Sequence, residues 1–88
     1  MSHILAKIKG ARLTDVENSL RHDFLQHAEQ GIFLEHLWQN KENSNEVYFL
    51  FRTLDLERAR QFIDSTQANA KKENPGATIP EMTFLEGQ

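Results

Sequence analysis

The sequence predicts an α+β fold of the ferredoxin-like type: a βαββαβ sandwich in which a four-stranded antiparallel sheet carries both helices on one face. Three observations predict it. Residues 3–9 alternate in polarity, with Ile4, Ala6 and Ile8 on one side. Two stretches repeat their apolar residues at three- and four-residue steps, as amphipathic helices do. Between those stretches lie two strand-like runs joined by a short polar turn, the signature of a hairpin. Right-handed crossovers favour this closure of the order β-α-β-β-α-β.

Each element has its own justification. Gly10 ends the first strand. Thr14-Asp15-Val16-Glu17 has the spacing of a capping box, in which the Thr hydroxyl and the Glu carboxylate reciprocally satisfy free amides of the first turn. From there Leu13, Val16, Leu20, Phe24, His27 and Ala28 predict one continuous helical stripe, and Gly31 stands where a terminating glycine belongs. Ile32 to Gln39 is the second strand, Asn40 to Asn45 a polar turn rich in residues that bond their own backbone, and Glu46 to Thr53 the third strand. Asp55 is a good N-cap for the second helix. Ala59, Phe62, Ile63, Thr66 and Ala70 form its inner face, and Asn74-Pro75-Gly76 stops it. Asp64-Ser65-Thr66 leaves open whether this helix is broken in two. Met82 to Leu85 is the last strand.

The 88 residues, with a formal net charge of -3, fit a single domain spanning 1–88. Leu, Ile, Val and Phe together number 23, enough apolar matter for a globular core. A domain this small buries only a little over ~60% of its unfolded surface, so a partner subunit would help it. No cysteine is present, which excludes disulfides, zinc-thiolate centres, iron–sulfur clusters and Cys nucleophiles. The first residues lack the apolar stretch of about 7–15 residues that a signal peptide needs, and no run approaches the ~20 needed to span a bilayer. A cytoplasmic protein with no membrane contact is the expectation. Lys and Arg are spread evenly and mixed with acids, so no cluster suits a nucleic-acid backbone, and no nucleic-acid partner is expected.

Two helices cover only one face of the sheet. Ile4, Ala6, Ile8, Val47, Phe49 and Phe51 form the purely apolar set and are expected to face the helices. Leu5, Lys7, His36, Trp38, Tyr48, Leu50 and Arg52 then share the other face. Trp, Tyr and Leu there would make an exposed apolar patch of the kind that marks a partner or ligand surface. The expectation is a homodimer whose sheets pack face to face around a partly polar pocket.

The chain resembles the dimeric α+β barrel superfamily of small proteins, which includes antibiotic-biosynthesis-monooxygenase-like, stress-responsive and YCII-like members, and is most similar to its uncharacterised ones. Gly31-Ile32 entering the hairpin, Asn45-Glu46-Val47, Asp55-Leu56-Glu57-Arg58-Ala59 and Pro80-Glu81-Met82-Thr83-Phe84-Leu85 carry the likeness over nearly the whole chain. The resemblance implies the fold and the dimer, and no substrate. Some haem-degrading members use an Asn on the first strand together with a Trp and a His. Here the first Asn is Asn18, and Trp38 and His36 sit together on the second strand. That departure argues against haem chemistry, and no cofactor is expected. Cofactor-independent oxygenation of an activated aromatic substrate stays open, since it asks mainly for a dry, shaped cavity and a base.

His36 and Trp38, two apart on one strand, share a face, and Tyr48 and Arg52 join them from the neighbouring strand. An imidazole, an indole, a phenol and a guanidinium suit a small aromatic or anionic molecule, expected to bind between sheet and helices. His36 is the candidate catalytic base because its ordinary pKa lies near neutrality. Trp38, Tyr48, Arg52 and Lys7 are the candidate ligand-binding residues. The competing reading makes them amphipathic residues of an assembly interface, where Trp, Tyr and Arg are enriched, and the protein a non-catalytic interaction or regulatory module. His22 and His27, five apart on a helix, do not have a metal pair's spacing, so no metal site is expected. His27 reads as a boundary residue packing on the sheet. The serines lack a nucleophile-elbow context, and the glycines form no phosphate loop.

Overall fold

The computed structural model describes residues 1–87. It consists of β1 (Ser2–Lys9), α1 (Leu13–His22), α2 (Phe24–Glu29), β2 (Ile32–Asn40), β3 (Asn43–Thr53), α3 (Leu56–Glu73) and β4 (Glu81–Glu86). The four strands form one antiparallel sheet in the order β2-β3-β1-β4. This is the ferredoxin-like arrangement, with the two β-α-β crossovers placing the helices over one face.

Side-chain alternation decides that face. Ile4 and Ala6 of β1 and Val47, Phe49 and Phe51 of β3 are buried, and Ile8 packs partly buried against them. Their partners across the sheet complete the layer: Ile4 pairs with Phe51 and Phe84, Ala6 with Phe49 and Met82. Val16 of α1 and Ala59 and Ile63 of α3 close this core from above.

Several boundaries differ from the sequence expectation. Thr14 does not cap α1. Arg12 is the N-cap, extended and without a side-chain cap bond, and Val16 N–H donates to its carbonyl at 3.1 Å. Starting the helix at Leu13 lets that side chain pack on the core, which outweighs a capping bond of about 1 kcal/mol. The expected single helix is split at Asp23, whose φ of -94° and ψ of 5° leave the helical region. The Asp23 side chain makes no cap bond to α2; its carboxylate lies 3.3 Å from His22 Nδ1. The break turns Phe24 outward, so it leaves the expected core stripe and is exposed, whereas His27 packs inward.

The hairpin is tighter than expected. Its strands run on to Asn40 and from Asn43, leaving a two-residue turn at Lys41 and Glu42. The polar side chains that suggested a longer loop stabilise the tip instead: Asn40 Oδ1 accepts from Glu42 N–H and Asn43 Oδ1 from Asn45 N–H. Asp55 does cap α3, accepting from Arg58 N–H at 3.2 Å. The helix runs unbroken through Asp64-Ser65-Thr66, where Thr66 Oγ1 donates back to the Phe62 carbonyl. Gly31 has a φ of +71°, the left-handed conformation that glycine adopts at low cost, and it turns the chain from α2 into β2. No helix among the described residues is long and apolar enough to cross a membrane.

Candidate functional site

The sheet offers two distinct surfaces. On the outer face, Lys7 stands opposite Tyr48, Leu5 opposite Leu50 and His3 opposite Arg52. Trp38 pairs with Tyr48 from the other side, and His36 with Leu50. A bulge between Leu34 and His36 makes this possible. Phe33 pairs with Arg52 on the outer face, Glu35 is the extra residue, and alternation resumes with His36 and Trp38 outward. The five residues singled out from the sequence, His36, Trp38, Tyr48, Arg52 and Lys7, therefore share one face.

Each is already engaged there. The His36 and Trp38 rings stack at 4.9 Å, nearly parallel. At one end of the face the Glu46 carboxylate accepts from Tyr48 OH and from Asn40 Nδ2, and lies 3.6 Å from Lys7 Nζ. The Tyr48 hydrogen bond, and then that of Asn40, hold the Glu46 carboxyl below its usual range. The same bond raises the Tyr48 phenol, and the Glu46 charge raises the Lys7 ammonium. At the other end the bulge residue Glu35 takes His3 Nε2 at 2.9 Å and stands 4.0 Å from Arg52 Nε, while the Arg52 guanidinium covers the Phe33 ring at 4.9 Å. Lys7 and Arg52 thus each have a carboxylate partner within the chain. Among the described residues no carboxylate lies within hydrogen-bonding distance of His36, so the orienting partner of a general base is missing, and no group of acids and histidines could hold a metal ion.

The inner side is different in kind. Between α1 and α3 the helices leave a cleft of ≈ 300 Å³ over the sheet. Ile8, Ile32, Phe49, Phe51 and Met82 floor it, and Val16 and Leu20 face Phe62 and Ile63 across it. Polar atoms are few. Asp15, Ser19 and Thr66 are exposed residues at its rim, and Gln67 donates to the Pro80 carbonyl at 3.1 Å. The polar group on its wall is His27, half-buried, with Phe51 and Phe62 in edge-on contact at 5.4 and 6.0 Å. Burial lowers the His27 pKa from its ordinary value, against the opposing pull of Asp23. A second, more polar hollow of ≈ 580 Å³ opens beside the first along β2 and shares Leu20, His27 and Phe51 with it.

Of the five residues singled out from the sequence, none lines the cleft between helices and sheet, and only His36 borders the neighbouring hollow. His27 packs on the sheet as its place in the helical stripe suggested. Its role as the polar group of a cavity was not visible, because the cavity arises from how far apart α1 and α3 lie. The signal present in the sequence was a titratable ring at a core-facing helical position.

Comparison with known proteins supports the fold. No protein-family model matches the chain, and no curated protein sequence matches it. Among solved structures, the protein SCO4226 of Streptomyces coelicolor A3(2) is similar, with 13% sequence identity, a TM-score of 0.56 and 98% of each chain covered. At that identity the likeness concerns the fold alone.

Proposed function

We propose that this chain is a small-molecule-binding protein that takes a compact, largely apolar ligand in the cleft between its helices and its sheet. The observation that carries the reading is the cleft itself: ≈ 300 Å³ of apolar-walled space over the inner face of the sheet, with one half-buried imidazole on its wall. Ligand sites are concave, mostly apolar and furnished with a few placed polar groups, and their volumes begin at about 300 Å³. The test uses a neutral probe, N-phenylnaphthylamine, whose emission rises in apolar surroundings. Wild-type protein is expected to enhance it saturably. Ser19→Trp puts a bulky ring at the exposed rim without disturbing the core and is expected to abolish the enhancement while leaving the circular dichroism unchanged. Equal enhancement by both proteins, or none by wild type, overturns the assignment.

A second reading concerns the outer face, which we propose pairs with that of a second copy, as in the dimeric α+β barrels that the sequence resembles. Trp38 and Leu85 are each more than two-fifths exposed there, flanking Leu5 and Leu50. Four strands about 4.8 Å apart and about eight residues long present roughly 500 Å² of face, so that two copies would bury about 1,000 Å², near the lower bound for a specific interface. The internal pairing of Lys7 with Glu46 and of His3 and Arg52 with Glu35 leaves little net charge to repel an identical face. On this reading the face serves assembly, and the two readings are compatible.

A further inference from the structure

We propose that His27 is the specificity-determining residue of the cleft, and that it selects an uncharged aromatic compound whose O–H donates a hydrogen bond to the imidazole. The inference rests on the cleft being the ligand site and adds which ligands it accepts. Four features of the wall point to it.

The first is the ring's unused bonding capacity. Among the described residues no side-chain hydrogen bond is made to His27, and none of the buried side-chain nitrogen or oxygen atoms is left without a partner, so its ring nitrogens meet the cleft or solvent. A neutral imidazole has one donor and one acceptor nitrogen. The second is that competing polar groups are committed or peripheral. The Thr66 hydroxyl donates to the Phe62 carbonyl, Gln67 donates to the Pro80 carbonyl, and Ser19 and Asp15 are at the rim. The third is charge. No Lys or Arg lines the cleft, and Asp15 is its charged residue. A carboxylate or phosphate entering would lose its hydration opposite no cation, a cost that apolar contact does not offset. The fourth is the shape of the apolar groups. Phe51 is in edge-on contact with both His27 and Phe49, and Phe62 with His27, so flat ring edges and faces are presented around the imidazole. Aromatic ligands gain in such offset or edge-on arrangements.

Protonation of His27 would replace the acceptor with a second donor and put a cation among apolar groups. Asp23 at the α1–α2 break acts on it electrostatically; the other titratable and charged groups around the cleft and the neighbouring hollow are Asp15 at the rim, the Glu17–Arg21 pair, Glu35 held by His3, and His36. Most are paired or exposed, so burial dominates and the neutral ring is the form present at neutral pH.

The test compares three probes with one skeleton: naphthalene, naphthol and naphthoate, titrated calorimetrically against wild type, His27→Leu and His27→Gln. One net hydrogen bond makes wild type prefer naphthol over naphthalene by about three- to tenfold, with naphthoate weakest. In His27→Leu the naphthol preference is expected to vanish while naphthalene still binds; His27→Gln, which keeps an acceptor, is expected to restore it in part. The wild-type preference should also fade as the pH is lowered through the titration of His27, below 6.5. A preference that survives in His27→Leu, or naphthoate binding as tightly as naphthol, overturns the role of His27 and leaves the cleft assignment standing. Failure of naphthalene to bind wild type overturns both.

Discussion

Phe51 ties the core to the cleft, and replacing it with Leu tests both together. Its ring is 4% exposed, faces Leu34 and Ile4 across the sheet, and makes two edge-on aromatic contacts, to His27 and Phe49, each at 5.4 Å. A hydrophobic swap of this kind costs up to about 1.5 kcal/mol in packing. Each aromatic pair lost removes a further ~0.5–1.5 kcal/mol beyond area burial. Phe51→Leu is therefore expected to destabilise the protein by about 1–4 kcal/mol. Domains of this size have a total of roughly 5–10 kcal/mol, so the variant should still fold. The assay is urea unfolding followed by far-ultraviolet circular dichroism, with the expected loss seen as a lower midpoint at unchanged slope. The single tryptophan, Trp38, lies on the outer face and is a poor reporter of this event. A loss below about 0.5 kcal/mol would refute the packing described here, because it would mean that the ring edges of His27 and Phe49 do not hold Phe51 in place.

Two further predictions concern the outer face. Glu46 has a folded-state pKa depressed below 4.5, chiefly by the Tyr48 hydrogen bond, so its contribution to stability is present above pH 4.5 and is lost as the pH falls through the depressed value. Tyr48→Phe should flatten the pH dependence of stability in that acid window, and in Glu46→Gln the single tyrosine should titrate closer to 10.0 by phenolate absorbance; an unmoved phenol midpoint would disprove the linkage. If the outer faces pair, sedimentation equilibrium at micromolar concentration should give twice the chain mass of 10.2 kDa for wild type and the chain mass for Trp38→Glu, whereas a wild-type mass near 10 kDa ends that proposal.

The sheet was legible because strand alternation is set by neighbouring residues. Ile4-Ala6-Ile8 and Val47-Phe49-Phe51 stand out as apolar sets, and once those are inward the outward residues of β1 and β3 follow, whereas His36 and Trp38 reach the outer face only through the bulge at Glu35. Asp55 and the Asn74-Pro75-Gly76 stop were legible for the same reason: they act within one turn of chain. What escaped depended on tertiary competition. Thr14 offered a cap, but Leu13 had a core to join. Asp23 interrupts a stripe whose periodicity alone runs through it. Glu35 is the residue the sheet has to expel as a bulge, and its reward is the pairing with His3 and Arg52, a partnership between residues 32 and 17 positions apart. The width and lining of the cleft were not legible, since no local pattern encodes the gap between two helices that are far apart in sequence.

That gap has a thermodynamic consequence. A small domain normally closes such space, because apolar walls without partners forfeit dispersion contacts and a core this thin has little to spare. Here α1 is ten residues long and breaks at Asp23, while the eighteen-residue α3 lies across the cleft from it, leaving Val16 and Leu20 separated from Phe62 and Ile63. A molecule that fills the space binds the folded chain and not the unfolded one. At a concentration one hundred times its dissociation constant it adds about 2.7 kcal/mol to stability, comparable with the whole loss expected from Phe51→Leu. On the reading proposed above, ligand occupancy and folding stability are two readings of the same cavity, on whose wall the His27 imidazole stands.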